Sequence, residues 1–583
     1  MNFVILRSVP LIVRLNFQII FQTNKRKNMS AALEFTILIW ITGFSLTVAM
    51  NLTVDASLTS VSGTSYPSLS QAISALVSNN NLTDSKNTIT LKASCLTANQ
   101  TFPAISIQGT GNESLLIQYE STPTTINQVS DCDLLPTVVI ASNSFMQFSY
   151  MGNLTLVGLN IQYYASTSDY NKFHDITNLT FSDFCFNNSE PNYTGTESSF
   201  SSNYYTKFYV DSVTYFIMDS GVYSFDGLKK FWIINPSQVT TTSMLFISLS
   251  AMQDSTNVAL NVTNTNDGNT DVNITQTQVS CPSGTIVMPQ ILYISNINNA
   301  NISGFNVSNC KFNNAASNSQ NVISVNGATE LLMDSFTLNN LTYGESDSQS
   351  VVSLSSNSNT MVSNLQITQL KINSFNIGSS NLIYVDDSFL GSSYPMNISF
   401  INFTFNHCDI ENFNYVLEFD FASSHSYNNL RIQNISLSTS FISWYTSFLY
   451  LEISAPSENT ILSYFNSIII NNITFNGNTI SSYTSLLTFL YDNADGILCS
   501  ELFHVQLSNV HLTNNSFNQA QLVQSDGYLI SVTTLTAFNV TLSDSSSLFL
   551  SNSIVSTYFL QNSQLTKITL SEVSGIAIAK SGS

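Results

Sequence analysis

The chain has 583 residues, 43% hydrophobic and only 9% charged, with a formal charge of −20 from 36 acidic and 16 basic residues. Five of the basic residues (Arg7, Arg14, Lys25, Arg26, Lys27) fall in the first 28 positions, and Arg431 is the single arginine beyond them. The rest of the chain therefore has too little positive charge to neutralise a nucleic-acid backbone or to dock on anionic lipid.

Low charge alone would suggest disorder, but the hydrophobic share and 39 Phe argue for a packed interior. At the N-terminus, Lys25-Arg26-Lys27, Met29 and the apolar run Phe35–Val48 read as an export signal. The run is about 14 residues long, with small residues at Thr47 and Ala49 for cleavage. Translation from Met29 would make residues 1–28 an upstream extension. The alternative to cleavage is an anchor left in the membrane, its basic side in the cytoplasm. Residues 1–50 are thus the extension and signal, and 51–583 are expected outside the cell.

Roughly twenty Asn-x-Ser/Thr sequons fit that address. They include Asn81, Asn99, Asn153, Asn178, Asn261, Asn301, Asn306, Asn397, Asn402, Asn434, Asn472 and Asn539. An Asn/Ser/Thr-rich chain also produces sequons by composition, and those beside a strand turn, such as Asn434, have a second reading as corner residues. After the signal, Leu69, Ile73 and Leu76 fall on one helical face in the stretch Tyr66–Leu76, with Ser68 placed to cap its start. The strands Thr88–Leu91, Ile105–Ile107, Leu116–Tyr119 and Val138–Ile140 follow. One amphipathic helix ahead of an unbroken series of strands predicts a cap on the open end of a strand stack.

From about Asn301 to Asn552 the sequence repeats. One strand series runs through Cys310–Phe312, Leu370–Ile372, Phe403–Phe405, Ile435–Leu437, Ile473–Phe475, Val510–Leu512 and Val540–Leu542. A second runs through Val351–Leu354, Leu382–Val385, Val416–Phe419, Phe448–Leu451, Leu486–Phe489 and Tyr528–Ser531. Both advance by about 30 to 38 residues, a solenoid period. The region 165–271 is less regular, and loop insertions on one face are expected there. The end of the chain, Ser571 to Ser583, shows no sequence signal for a cap or an anchor. A shortened C-terminus is the expectation.

The helix followed by Thr88–Leu91 resembles the N-terminal opening of the pectin-lyase-like right-handed parallel β-helices, and the Asn-bearing turns resemble their stacked Asn ladders. The resemblance covers everything from residue 51 onward, through periodicity. The overall composition is similar to the large surface β-helix proteins of ciliated protists. The fold expected is therefore all-β: a right-handed parallel β-helix with a short N-terminal capping helix, forming one domain over 51–583.

In such folds the resemblance implies catalytic groups from neighbouring rungs of one face. The polygalacturonase pattern has partial echoes in Asn269-Thr270-Asp271, Asp386-Asp387, His425 and Arg431-Ile432-Gln433. The first two are too far apart in the repeat to share acid and base work. His425 lacks flanking glycines, and Gln433 stands where that pattern has lysine. One arginine and no matching acidic cluster also fall short of a pectate-lyase or pectin-methylesterase site. No catalytic or cofactor residue is assigned from sequence.

Calcium has weak candidates in Asp267 and Asp271, and in Asp492 and Asp495, within loops that also read as ordinary Asn/Asp/Gly turns. Seven widely spaced cysteines suggest neither zinc nor a dense disulfide framework. Cys95–Cys132 is the pair placed to staple the first rungs, while Cys310 and Cys408 read as small buried residues. The function expected is an exported, non-catalytic scaffold for adhesion, with polysaccharides or surface proteins as partners. Two alternatives stand: a polysaccharide lyase or glycoside hydrolase of this fold, and an ectodomain fragment of a larger membrane protein. The membrane would be reached only through an uncleaved signal anchor or a missing C-terminal segment. A pair of acidic residues on adjacent rungs of one face would favour the enzyme.

Overall fold

The computed structural model describes residues 49–580 apart from 79–85, 122–125, 141–144, 164–170, 188–207, 226–230, 249–257, 266–268, 282–289, 313–320, 344–348, 356–362, 378–379, 387–395, 412–414, 422–426, 455–466, 493–502, 526–527, 545, 552–556, 561–562 and 571–578. The expected signal lies outside the described residues, and Ala49–Ser583 forms one compact unit. The strands pair in parallel, each with the strand one turn of chain later, so the chain winds as a parallel β-helix. The capping helix spans Leu69–Ser78 and buries Leu69, Ala72, Ile73 and Leu76. Ser68 Oγ accepts from the Gln71 N–H at 3.3 Å, as the capping position predicts.

Alternation along each strand turns one set of side chains inward and the other outward. One inward column runs in register through Phe208, Phe231, Leu260, Leu292, Ile323, Val352, Ile383, Leu417, Leu449, Leu487 and Val523. All are buried, and Phe208 and Phe231 stack at 4.7 Å. The region 165–271 belongs to the same regular stack: Asn171–Asn187, Tyr215–Phe225 and Gln238–Ser248 pair strand on strand. Its aromatic core disguised the repeat. Within that region 165–170, 188–207, 226–230, 249–257 and 266–268 lie outside the described residues.

One line of corners is made by single residues in the left-handed region. Gly158, Asp183, Ser220, Ser243, Gln276, Gly304, Ser335, Gln369, Asn402, Asn434, Asn472 and Asn509 form one column, with φ between 47 and 65°. Asn is well suited to this corner because its short polar side chain tolerates left-handed backbone and can bond locally. Here it bonds the next rung. Asn434 Nδ2 donates to Asn402 Oδ1 at 2.8 Å, Asn472 to Asn434 at 3.0 Å, and Asn509 to Asn472 at 2.9 Å.

The repeat as read from sequence slips at its ends. Lys311 pairs with Thr342 and Thr541 with Ser516, which puts Cys310–Phe312 and Val540–Leu542 one column beyond the other members of their series. Likewise Tyr528–Ser531 pairs with Phe503–Gln506, whereas Leu487 continues into Val523. Short apolar triplets do not reveal which wall of the coil they build.

The disulfides also differ from the expected Cys95–Cys132 staple. Cys132 is bonded to Cys185 with Cα atoms 5.7 Å apart, while Cys95 is a buried thiol whose Sγ points to the Val54 carbonyl. Cys132 sits in a short helix beside the rung of Cys185, whereas Cys95 faces the first rung. Cys310 is not a lone buried residue either. It is bonded to Cys281, because the neighbouring rung strands Gln278–Ser280 and Asn306–Ser308 bring both past the same corner. Cys408 is a buried free thiol, pushed up to about 12 by burial.

Candidate functional site

The outward set of the same wall forms two straight rows. One runs Lys172, Tyr209, Trp232, Asn261, Tyr293, Ser324, Ser353, Tyr384, Glu418, Tyr450, Thr488. The other, two residues along each strand, runs His174, Asp211, Ile234, Thr263, Ser295, Asn326, Ser355, Asp386, Asp420, Glu452. At about 4.8 Å per rung these rows extend over about 45 to 50 Å of one lateral face. Aromatic, amide, hydroxyl and carboxyl groups fill them, and Lys172 at one end is their single cation.

Four carboxyls gather at one stretch of that face. Asp386, Asp420 and Glu452 are successive members of the second row, and Glu418 is the first-row neighbour of Asp420. Adjacent rungs separate backbones by about 4.8 Å, and two residues along a strand by about 6.7 Å. Burial, reinforced by Asp420, Glu452 and Asp386, pushes the Glu418 carboxyl up to about 8. The Asp420 carboxyl is pushed up to about 6 by burial and then by Glu452 and Asp386.

Neighbouring polar and aromatic groups hold this cluster in place. Asn381 Nδ2 donates to Glu418 Oε2, while Asn381 Oδ1 accepts from the Tyr415 N–H at 3.0 Å. The Tyr415 and Tyr450 rings stack at 3.9 Å, and the Tyr450 hydroxyl donates to Glu452 Oε2 at 2.6 Å. Burial, followed by Asp386, also raises the Tyr384 phenol, so it stays a hydroxyl donor. This arrangement offers a protonated carboxyl, ionisable carboxyls beside it, and aromatic rings on either side.

At the far end of the face, His174 lies between two carboxylates. Its Nε2 is 3.0 Å from Asp175 Oδ2 and its Nδ1 is 3.2 Å from Asp211 Oδ2, the latter outside hydrogen-bond geometry.

The sequence candidates scatter over the coil. Asp271 opens the strand Asp271–Thr275, is exposed, and accepts from Asn299 Nδ2 at 2.8 Å. It stands on a different wall from Asp386, several rungs away, so the partial polygalacturonase pattern is not assembled. Asp387 and His425 lie outside the described residues, as do Asp267 and Asp495. Asp492 ends the strand Ser485–Asp492, with its side chain outside the described set. Among the described residues no group of three or more His, Cys, Asp or Glu is arranged to hold a metal ion. Arg431 lies exposed between Ser399 and Ile469, with Ile432 in the core.

Of the sequons, Asn81 is outside the described residues, and Asn99, Asn153, Asn301, Asn397, Asn402, Asn434, Asn472 and Asn539 are exposed. Asn178, Asn261 and Asn306 are half-buried, and Asn178 Nδ2 donates to Asn153 Oδ1 at 2.7 Å. In the tyrosine-rich run from 204 to 209, Tyr204 and Tyr205 are outside the described residues. Tyr209 belongs to the lateral row, edge-on to Trp232 at 6.1 Å. Sequence reading missed Glu418, Asp420 and Glu452. Their signal was the pair spacing: Glu418-Phe419-Asp420 and Tyr450-Leu451-Glu452 place polar groups two apart around a core residue in successive repeats.

No family model matches the chain, and no curated protein matches it. Among solved structures the chain is similar to a GH136 lacto-N-biosidase from Eubacterium ramulus, at 8% identity and a TM-score of 0.16, over 93% of this chain and 73% of that one.

Proposed function

We propose that the chain is an exported β-helix that binds a neutral glycan along the lateral face bearing Tyr209, Trp232, Tyr293, Tyr384 and Tyr450. The supporting observation is that these five aromatics share one straight outward row with Glu418. Aromatic faces stack on the apolar side of a pyranose, and flanking carboxyl, amide and hydroxyl groups bond its hydroxyls. A polyanionic sugar is disfavoured, since four clustered carboxyls would repel it and no arginine or lysine stands beside them among the described residues.

The test is calorimetric titration of the full chain with hexasaccharides of cellulose, xylan, mannan, β-1,3-glucan and chitin. At least one is expected to bind, and the Tyr384→Ala/Tyr450→Ala double variant is expected to weaken it at least tenfold. Absence of binding across the panel, or binding untouched by that variant, overturns the proposal.

Hydrolysis is the second reading, favoured by the split between Glu418 and Asp420. Two neighbouring carboxyls held at different values are how glycosidases divide acid and base work. Glu418 would protonate the glycosidic oxygen as the C–O bond breaks, and Asp420 would take a proton from the water that adds to the anomeric carbon. New reducing ends that disappear in Glu418→Gln would establish it. A bound hexasaccharide that stays intact leaves the face a binding surface alone.

A further inference from the structure

The corner that leads onto the acidic stretch carries an exposed aromatic group on two successive rungs. Trp444, Tyr445 and Tyr483 are 53%, 49% and 56% exposed. Tyr445 and Tyr483 stack in parallel, with centroids 5.1 Å apart and planes within 14°. Trp444 meets Ser482 on the next rung, a small neighbour, and makes no ring contact among the described residues.

The backbone here is costly. Trp444 and Tyr445 have φ of 64 and 57°, and Ser482 and Tyr483 of 59 and 62°, so each rung turns through two consecutive left-handed residues. A left-handed residue with a Cβ costs on the order of 1 kcal/mol, and the Asn ladder shows how other corners of this coil reduce that cost.

Buried hydroxyls hold the turn open. Thr446 Oγ donates to the Ser443 carbonyl at 2.5 Å, and Thr484 Oγ to the Ser481 carbonyl at 2.6 Å. The two segments, Ile442-Ser443-Trp444-Tyr445-Thr446-Ser447 and Ile480-Ser481-Ser482-Tyr483-Thr484-Ser485, are one motif repeated in register. Rigid backbone, exposed rings and hydroxyl-bearing flanks make a preorganised stacking platform without charge.

Its position names the occupant. Trp444 and Tyr445 precede the strand Ser447–Ser454, whose outward side chains Tyr450 and Glu452 belong to the lateral face. Tyr450 lies six positions after Trp444, at most about 20 Å of chain, or about four sugars at about 5 Å each. We propose that this corner is a remote glycan subsite: a pyranose stacks on the Trp444 indole, steadied by the Tyr445–Tyr483 pair, when a longer neutral oligosaccharide already occupies the Tyr450–Glu452 stretch. The subsite rests on the glycan-binding reading given above and adds a length dependence to it.

The test compares a disaccharide and a hexasaccharide of the same five glycans on the full chain and on Trp444→Ala, Trp444→Phe and Tyr483→Ala. Stacking of this kind is worth about a tenfold change in affinity. The hexasaccharide is expected to bind Trp444→Ala about tenfold more weakly, while Trp444→Phe retains most of the affinity and the disaccharide shows no change. Tryptophan emission of the wild type should shift with the hexasaccharide, and that shift should shrink in Trp444→Ala to whatever Trp232 in the lateral row contributes. Equal hexasaccharide affinity in Trp444→Ala overturns the subsite while leaving the lateral face intact. Failure of every hexasaccharide to bind the wild type overturns both.

Discussion

A single residue type settles much of this fold's local geometry, and Asn434 shows how. It occupies a left-handed corner with φ of 56°, donates to Asn402, and accepts from Asn472. Asn434→Ala removes both side-chain bonds and leaves a Cβ where left-handed backbone costs most, so a loss of about 2 kcal/mol is expected. Asn434→Gly removes the same bonds but relieves the backbone, so about 1 kcal/mol is expected. Urea unfolding of the pair should therefore order wild type above Gly above Ala. A glycine variant no better than alanine would show that the ladder, not the corner conformation, sets the preference. The corner role of Asn434 could be read from its place before a strand. The two buried hydroxyl clips at Thr446 and Thr484 could not, since nothing in an Ile-Ser-x-Tyr-Thr-Ser string marks two left-handed residues.

At the scale of strands and corners, the ladder constrains glycosylation. Asn402, Asn434 and Asn472 are sequons on consecutive rungs, about 4.8 Å apart, and an N-linked sugar is wider than that step. One amide hydrogen of Asn434 and one of Asn472 also serve the ladder, and Asn402 accepts in it. In secreted material, neighbouring rungs are therefore expected to exclude each other. Site occupancies from glycopeptide mass spectrometry should sum to no more than one for Asn402 with Asn434, and for Asn434 with Asn472. A sum clearly above one would contradict the stacking of these corners. The strands themselves were legible because apolar residues recur with the rung. Their register was not, because the sequence spacing from an outward-row strand to the next strand varies, as from Asp386 to Met396, Phe421 to Tyr427 and Ser454 to Ser467. Register is what gathers Asp386, Asp420 and Glu452, so the site stayed hidden while the fold was plain.

For the whole molecule, charge and burial set a pH dependence that can be worked out from the raised and lowered groups. Asp55 is lowered to about 2 by the Ser57 hydroxyl, then by Ser94, the Ser57 backbone and Lys92. A lowered carboxyl contributes stability above its unfolded value of about 3.9 and loses it as pH falls toward 2. Glu418 and Asp420 have the opposite sign. Held at about 8 and about 6, they keep protons that the unfolded chain releases near 4, so their contribution is whole below about pH 4 and declines as pH rises through their folded values. The formal charge of −20 adds self-repulsion in the same direction. Stability should therefore peak on the acid side, near pH 4 to 5, and fall toward pH 8. Thermal unfolding from pH 3 to 9 at a fixed scan rate checks this. The Glu418→Gln/Asp420→Asn variant should flatten the decline between about pH 4.5 and 8 while leaving the acid limb unchanged. A wild-type midpoint that rises from pH 5 to 8 would mean that these carboxyls are solvated and ionised in the native coil. The buried acid invoked for glycosidic cleavage would then be lost with it.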